Sequence, residues 1–343
     1  MAGKSRRFPN LRPKWMLTHP KTHRFMGVEA ITGLNVDLFE TIVFTYLKSH
    51  ESQYQFQDGL IHQLKELGIE RKTTLCALDE ETHSQSETVY VTIKKQNIDG
   101  FVFIKDSDGY YQTTIEPQNH VVFYDIHHMT TVEAAAKSYV VMDQHNVINN
   151  IVEKEVVSPT FSAGGYGFGN ALEFCETYES LAQLEGECYI SHVIYDMILK
   201  GHRFVGTPCQ DYKDWGTLDA WKRYCAQYLT LFCDIDGTLI TNRSVHFKPG
   251  IGNGEPLHEN IACLQKRYEE GRYYIVLTTS RPEWARATTE KELKKHNIPY
   301  HRLLMGLPHG QRVLINDYAE SNPYPSGRAI NIPRNGRQLK DFL

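Results

Sequence analysis

The sequence predicts an α/β protein of two domains, and three observations carry that expectation. At 343 residues the chain exceeds one typical domain and falls short of three. Short apolar runs alternate with amphipathic stretches along its length, the pattern of strands and helices layered on a largely parallel sheet. A fresh cycle of that pattern begins at YLTLFCDIDGTL, after the polar helix LDAWKRYCAQ. The boundary therefore falls near Tyr228, giving domains 1–227 and 228–343.

The elements follow in order. ETIVFTYL reads as a strand, and FQDGLIHQLKELG as a helix closed by Gly68. TTLCAL, GFVFIKD, NHVVFYDI and NVINNIVEKEV are short runs rich in β-formers. CYISHVIYDMILKG spaces its apolar residues helically and ends on Gly201. In the second domain the strand LTLFCD is followed by the helix ENIACLQKRYEEG and the strand RYYIVLTTS. The helix EWARATTEKELKKHN and the strand QRVLIND come next, and the loop-like tail contains a short strand at AINI. There is no internal repeat and no low-complexity segment.

Composition excludes several function classes. The formal charge of −4 is spread along the chain without a long basic run, which argues against nucleic acid as a partner. No apolar stretch is long enough for a membrane helix, and the N-terminus lacks the apolar core of a signal peptide. Seven cysteines with no Cys-x-x-Cys pair fit reduced thiols in the cytoplasm better than a disulfide frame or a zinc site. His127 and His128 are adjacent, so on a strand they face opposite ways and chelate poorly.

LFCDIDGTL carries the most chemistry. A hydrophobic strand delivers Asp234 and Asp236 to its C-terminal end, where α/β sheets place their sites. One carboxylate there can attack a phosphoryl group and the other can move the proton. Gly237 and Thr238 permit the tight turn out of the strand. The stretch resembles the first motif of the haloacid dehalogenase superfamily, Asp-x-Asp-Gly-Thr, and the resemblance extends from about Tyr228 to the end of the chain. It implies that Asp234 is the nucleophile and Asp236 the general acid and base. Thr279 in IVLTTSRP matches the second motif, whose hydroxyl holds a phosphoryl oxygen, and Asp317 in VLINDY matches the fourth. Asp234, Asp236 and Asp317 would then surround Mg²⁺. The third motif departs from the pattern, because Leu307 stands in MGLPHGQRV where relatives often carry Lys. Arg312 and Lys295 are both candidates for that cation. The stretches between Asp236 and Thr278 and between Ser280 and Asp317 are too short for a sizeable cap domain, so a capless site is expected.

The N-terminal MAGKSRRFPNLRPK is similar to the signature of sugar-phosphate nucleotidyltransferases, a Gly-rich loop with an Arg and a following Pro-Lys. By that resemblance Gly3, Ser5, Arg7 and Lys14 belong to the phosphate-binding motif, with Ser5 where the family often has a second Gly. Backbone N–H groups of such a loop cradle phosphates, and Arg7 and Lys14 would stabilise charge on departing pyrophosphate. Further matches are the strand end Asp106-x-Asp108 for a metal on the nucleotide phosphates and Gln85 in SQSETVY for the base. Lys154 matches a Lys on the substrate phosphate, and Gly164 and Gly165 a turn that approaches the sugar. Asp214 in DWGTLDAW is a second metal ligand or else a cap for the next helix. The phosphate loop normally hangs from a first strand, so that strand is expected to be missing from this sequence.

The resemblances together imply two Rossmann-like domains, a nucleotidyltransferase sheet of the kind shared with nucleotide-sugar glycosyltransferases followed by a haloacid-dehalogenase-like domain. The implied protein is a cytoplasmic bifunctional enzyme dependent on Mg²⁺. It would transfer a nucleotidyl group from an NTP to a sugar phosphate, hydrolyse a phosphomonoester, and serve surface or capsular polysaccharide precursor synthesis. Homo-oligomers are compatible with it. Two alternatives stand beside this reading: a glycosyltransferase-like first half, or one half serving as a non-catalytic binding scaffold.

Overall fold

The computed structural model describes residues 12–129, 137–183, 186–242, 252, 254–316 and 327–343. The chain divides into two compact units, Met1–Cys225 and Ala226–Leu343. In the first unit the elements are α1 (Met26–Glu29), β1 (Ile42–Leu47), α2 (Lys48–Tyr54), α3 (Gln57–Glu66), β2 (Thr73–Leu78) and α4 (Gln85–Gln96). Then follow β3 (Val102–Lys105), β4 (Gly109–Gln112), β5 (His120–Asp125), β6 (Ser138–Met142), β7 (Ile148–Glu153) and β8 (Thr160–Phe168). The unit closes with α5 (Ala171–Leu181), α6 (Ile190–Leu199), β9 (Val205–Pro208), β10 (Gln210–Asp214) and α7 (Leu218–Cys225).

β1 and β2 run parallel, joined through α3. Leu60 and Leu64 of α3 bury themselves against Phe44, Tyr46 and Phe56, with Trp15 and Met16 completing the cluster. The larger sheet has the strand order β7-β6-β8-β5-β9, with β3 also on β8. Here the expectation of a largely parallel sheet is corrected: only β5 and β9 pair in parallel, and β3, β5 and β6 all run antiparallel to β8. For β6 and β7, which also run antiparallel, the cause is the length of the connection. Between β6 and β7 lies only a tight turn, where the Asp143 carboxylate accepts from the N–H groups of His145 and Val147 at 2.8 and 2.9 Å. A parallel crossover needs a dozen residues or more. β8 is buried along nearly its whole length, which its small and aromatic residues, SAGGYGF, allow on both faces. One face packs against α4, α5 and α6 through Phe168, Phe174, Val193, Ile194 and Met197.

The second unit contains β11 (Leu229–Asp234), α8 (His258–Glu269), β12 (Tyr273–Thr278), α9 (Arg286–Lys295) and β13 (Arg302–Leu304). Its three strands are parallel, in the order β11-β12-β13, with Asp234 opposite Thr278. Cys233, Ile235, Ile275 and Leu277 meet Ile261 and Leu264 of α8 and Leu293 of α9. Phe232, Tyr274 and Leu304 are exposed. Two sequence expectations fail here. Residues 311–316 of QRVLIND form no strand, and neither does AINI. Val313, Leu314 and Ile315 are solvent-exposed, so their β-propensity has no neighbouring strand or packed face to act through.

Candidate active sites

In the first unit the turn after β3 presents Asp106 and Asp108. The N–H of Asp106 donates to the carbonyl of Gly164 at 2.8 Å. Gly164 has φ +80°, and a Cβ there would stand 2.6 Å from Asp106 Oδ2, so only glycine lets β8 approach this closely. β10 runs antiparallel to β4 with Asp214 opposite Gly109, which brings a third carboxylate to the same turn. The N–H of Trp215 then donates to the carbonyl of Asp108 at 2.9 Å. Trp215 is buried against Trp221, Tyr224 and His19, and the imidazole Nε2 of His19 lies 2.8 Å from Tyr224 Oη. This aromatic cluster ties the N-terminal segment to α7 behind the carboxylates.

Two lysines pair with carboxylates of the turn, and a third lies beneath it. Lys14, in a short helical turn whose Trp15 and Met16 are buried, donates to Asp108. Lys137 donates to Asp214 Oδ2 at 2.5 Å and to Tyr212 Oη at 2.8 Å. Lys105 lies beneath the turn and donates to the carbonyls of Asp106 and Gly109 at 2.8 and 2.7 Å. Burial pulls its ammonium down to about 8. Burial, reinforced by the neighbouring Asp108 charge, pushes Asp106 up to about 6. Burial works the same way on Asp108, but the charge and hydrogen bond of Lys14, with Lys137 and Lys105 behind, outweigh it and hold that carboxylate at about 2.

Gln85, Asp106, Asp108, Gly164 and Asp214 border one cleft, and Lys14 meets its wall through Asp108. Gln85 donates to Asp106. Gly165 does not border the cleft: a Cβ there would lie 2.0 Å from Tyr111 Oη, so it packs inside the sheet and the expected approach to a sugar is corrected. Lys154, with φ +59°, meets the cleft wall through Tyr189, to whose Oη it donates at 2.5 Å. Gly3, Ser5 and Arg7 lie outside the described residues.

Three cleft or turn residues escaped sequence reasoning: Lys105, Lys137 and Glu153. Glu153 faces the cleft and accepts from Ser138 Oγ at 2.5 Å and Ser191 Oγ at 2.8 Å. The alternation of strand side chains held a signal, because Glu153 ends β7 on the same face as the buried Ile151. Lys137 had no signal beyond its charge.

In the second unit Asp234 ends β11 and Asp236 follows it. Arg281 grips both oxygens of Asp236, with Nε at 3.1 and 3.0 Å and Nη2 at 2.7 Å from Oδ1. The Thr279 hydroxyl donates to Asp236 Oδ2 at 2.9 Å. Arg281 is itself buried and donates to Glu292 at 2.6 Å. Burial pushes Asp234 upward, and Arg312, donating to Oδ1 at 3.0 Å, pulls against that. Of the two cations left open by the sequence, it is Arg312 that stands beside Asp234, while Lys295 is exposed at the end of α9. Asp317 lies outside the described residues.

Magnesium fits the two places differently. Among the described residues no three His, Cys, Asp or Glu side chains gather closely enough to hold a metal ion. Mg²⁺ commonly takes one or two carboxylates and completes its shell with water and substrate phosphate. The first cleft offers such a set: all-oxygen donors, with Asp106 buried and partnered by an amide rather than a lysine. The Asp236 side chain does not fit, since Arg281 and Thr279 already occupy both its oxygens.

No protein-family model matches the chain, and no curated protein sequence matches it. Solved structures do. The nucleoside-diphosphate-sugar pyrophosphorylase from Vibrio cholerae RC9 is similar at 18% identity, covering 66% of this chain and 97% of its own, with a TM-score of 0.54. The inositol-1-phosphate CTP transferase from T. maritima is 12% identical over 65% of this chain and 90% of its own, with a TM-score of 0.52. A UDP-glucose pyrophosphorylase complexed with UDP-glucose is 14% identical over 66% and 94%, with a TM-score of 0.51. At these identities the likeness is one of fold: about two thirds of the chain has the fold of these nucleotidyltransferases. Among the described residues no helix is long and apolar enough to cross a membrane.

Proposed function

We propose that the first unit transfers a nucleotidyl group from an NTP to a sugar phosphate and releases pyrophosphate. The observation that carries this reading is the single cleft where Asp106, Asp108 and Asp214 interleave with Lys14 and Lys137, within a chain that shares its fold with pyrophosphorylases. An oxygen of the acceptor phosphate attacks the α-phosphorus, and the bond from that phosphorus to the bridging oxygen of the β-phosphate breaks. The pair of electrons leaves with pyrophosphate. Such transfers depend on positioning and on neutralising charge. Lys14 and Lys137 supply fixed positive charge at the cleft, and Glu153 offers an acceptor for a hydroxyl of the sugar. Asp106, with Asp108 or Asp214, would hold Mg²⁺, which supplies further neutralisation of the phosphates when bound. Mn²⁺ binding followed by electron paramagnetic resonance on the protein alone tests that set, with Asp106→Asn expected to weaken it.

The second unit, in this reading, hydrolyses a phosphomonoester. Asp234 attacks phosphorus, the alkoxide leaves and takes its proton from solvent water, and a second water then cleaves the aspartyl-phosphate to inorganic phosphate. The general-acid role expected of Asp236 is corrected, because both its oxygens already accept from Arg281 and Thr279. Arg312, 3.0 Å from Asp234, is the cation that would meet the phosphoryl charge. No step here is assigned to a metal. Two sequential reactions on phosphorylated sugars fit the making of nucleotide-sugar precursors.

Four NTPs screened against a panel of sugar phosphates for pyrophosphate release test the first activity. Consumption of a nucleotide sugar without pyrophosphate release would overturn it in favour of a glycosyltransferase. Phosphate release by wild type and its loss in Asp234→Asn test the second.

A further inference from the structure

The tail of the chain returns to the loop that carries Asp236. The N–H of Asn335 donates to the carbonyl of Gly237 at 2.7 Å, and the N–H of Asn242 donates to Asn335 Oδ1 at 2.8 Å. Asn335 takes a left-handed φ of +59° to make this contact. Asn260, fully buried, sews the two segments together: its Nδ2 donates to the carbonyls of Thr238 and Gly336 at 2.7 and 2.8 Å. A strained residue and a buried amide therefore hold one tail turn against the site loop.

What that turn presents is Arg334. Its Cγ lies 3.1 Å from where a Cβ on Gly237 would stand, so the aliphatic stem rests on the glycine. The residue is exposed, and among the described residues its guanidinium has no hydrogen-bond or ion-pair partner. The other two arginines of the tail differ. Arg328 donates to the carbonyl of Phe342 at 2.9 Å, and Arg337 to Glu259 at 3.1 Å. Gly237 is three residues from Asp234, at most about 11 Å even for extended chain, a separation that a sugar ring and its substituents can span.

Resting on the hydrolase reading of the second unit, we propose that Arg334 binds a second anionic group of the substrate, so that this unit selects phosphomonoesters whose alcohol portion carries a further phosphate or carboxylate. A guanidinium pairs with either anion through two parallel hydrogen bonds, which a simple ester gives it no chance to form. The test measures phosphate release by the full chain from p-nitrophenyl phosphate, a hexose bisphosphate and a phosphorylated hydroxy acid. Wild type, Arg334→Ala and Arg334→Lys are compared, with thermal melts confirming folding. Arg334→Ala is expected to lower the ratio of kcat/KM for the two substrates that carry a second anionic group to that for p-nitrophenyl phosphate at least fivefold, through KM, and Arg334→Lys to restore part of it. A smaller change in both ratios overturns the proposal; a change in one alone names the preferred anion. If wild type releases phosphate from none of the substrates, the hydrolase reading itself falls, and the proposal with it.

Discussion

Glu292→Gln should destabilise the second unit while leaving the first unit's transition in place. Arg281 is 4% exposed at its side chain and Glu292 1%, and the two meet at 2.6 Å. Removing one partner of a buried ion pair typically costs about 3–5 kcal/mol, because the other charge stays buried. Arg281 keeps Asp236 as a partner, and glutamine retains one acceptor, which places the expected loss at the lower end, about 3 kcal/mol. For a unit of this size that corresponds to a fall in Tm of roughly 10 °C. Differential scanning calorimetry of the full chain reads it directly, as the shift of one transition relative to the other. A cost below about 1 kcal/mol for Glu292→Gln would refute the argument that this pair is desolvated and mutually dependent.

Other expectations follow from the first unit. Gly164→Ala places a methyl 2.6 Å from Asp106 Oδ2 at a left-handed φ, and should cost about 1–3 kcal/mol and abolish pyrophosphate release. Lys137→Met frees Asp214 and should lower kcat/KM by about 10²-fold, with Lys137→Arg restoring part of it in the same steady-state assay. Asp106 is raised to about 6, above its unfolded value, so as a charged group it disfavours the fold at neutral pH and ceases to do so as pH falls through 6 toward 4. Asp106→Asn should therefore stabilise the metal-free protein at pH 8 and lose that advantage near pH 4, as urea titrations will show. His120 has the opposite sign. Burial between Phe103 and neighbouring strands lowers it, so the stability present above its unfolded value of 6.5 declines as pH falls below it, and His120→Gln should flatten that part of the stability profile.

Local patterns account for what was legible. β1, β2, β3, β5, β7, α3, α6, α8 and β12 stand where apolar periodicity and Gly stops put them, because burial of one face or one stripe is written in nearest neighbours. Asp106 and Asp108 drew attention as acids at a strand end and Asp214 through the resemblance of DWGTLDAW, and both signals are local too. Residues 311–316 misled for the same reason: VLI has the propensity of a strand, and propensity is realised only against a partner.

The sequence by itself determined that the chain has two α/β units, where their acidic turns lie, and which strand ends carry them. Only the tertiary structure decided the antiparallel order of the large sheet, the pairing of Lys14 with Asp108 and of Lys137 with Asp214, and the clamp of Arg281 on Asp236. It also turned Glu153 into the cleft, set Lys154 on Tyr189 of the cleft wall, and drew the tail back to Gly237. The physical reason is range. Propensity and periodicity act over a few residues, whereas an ion pair such as Lys14 with Asp108 joins groups 94 positions apart in the chain, and nothing local to either one names its partner.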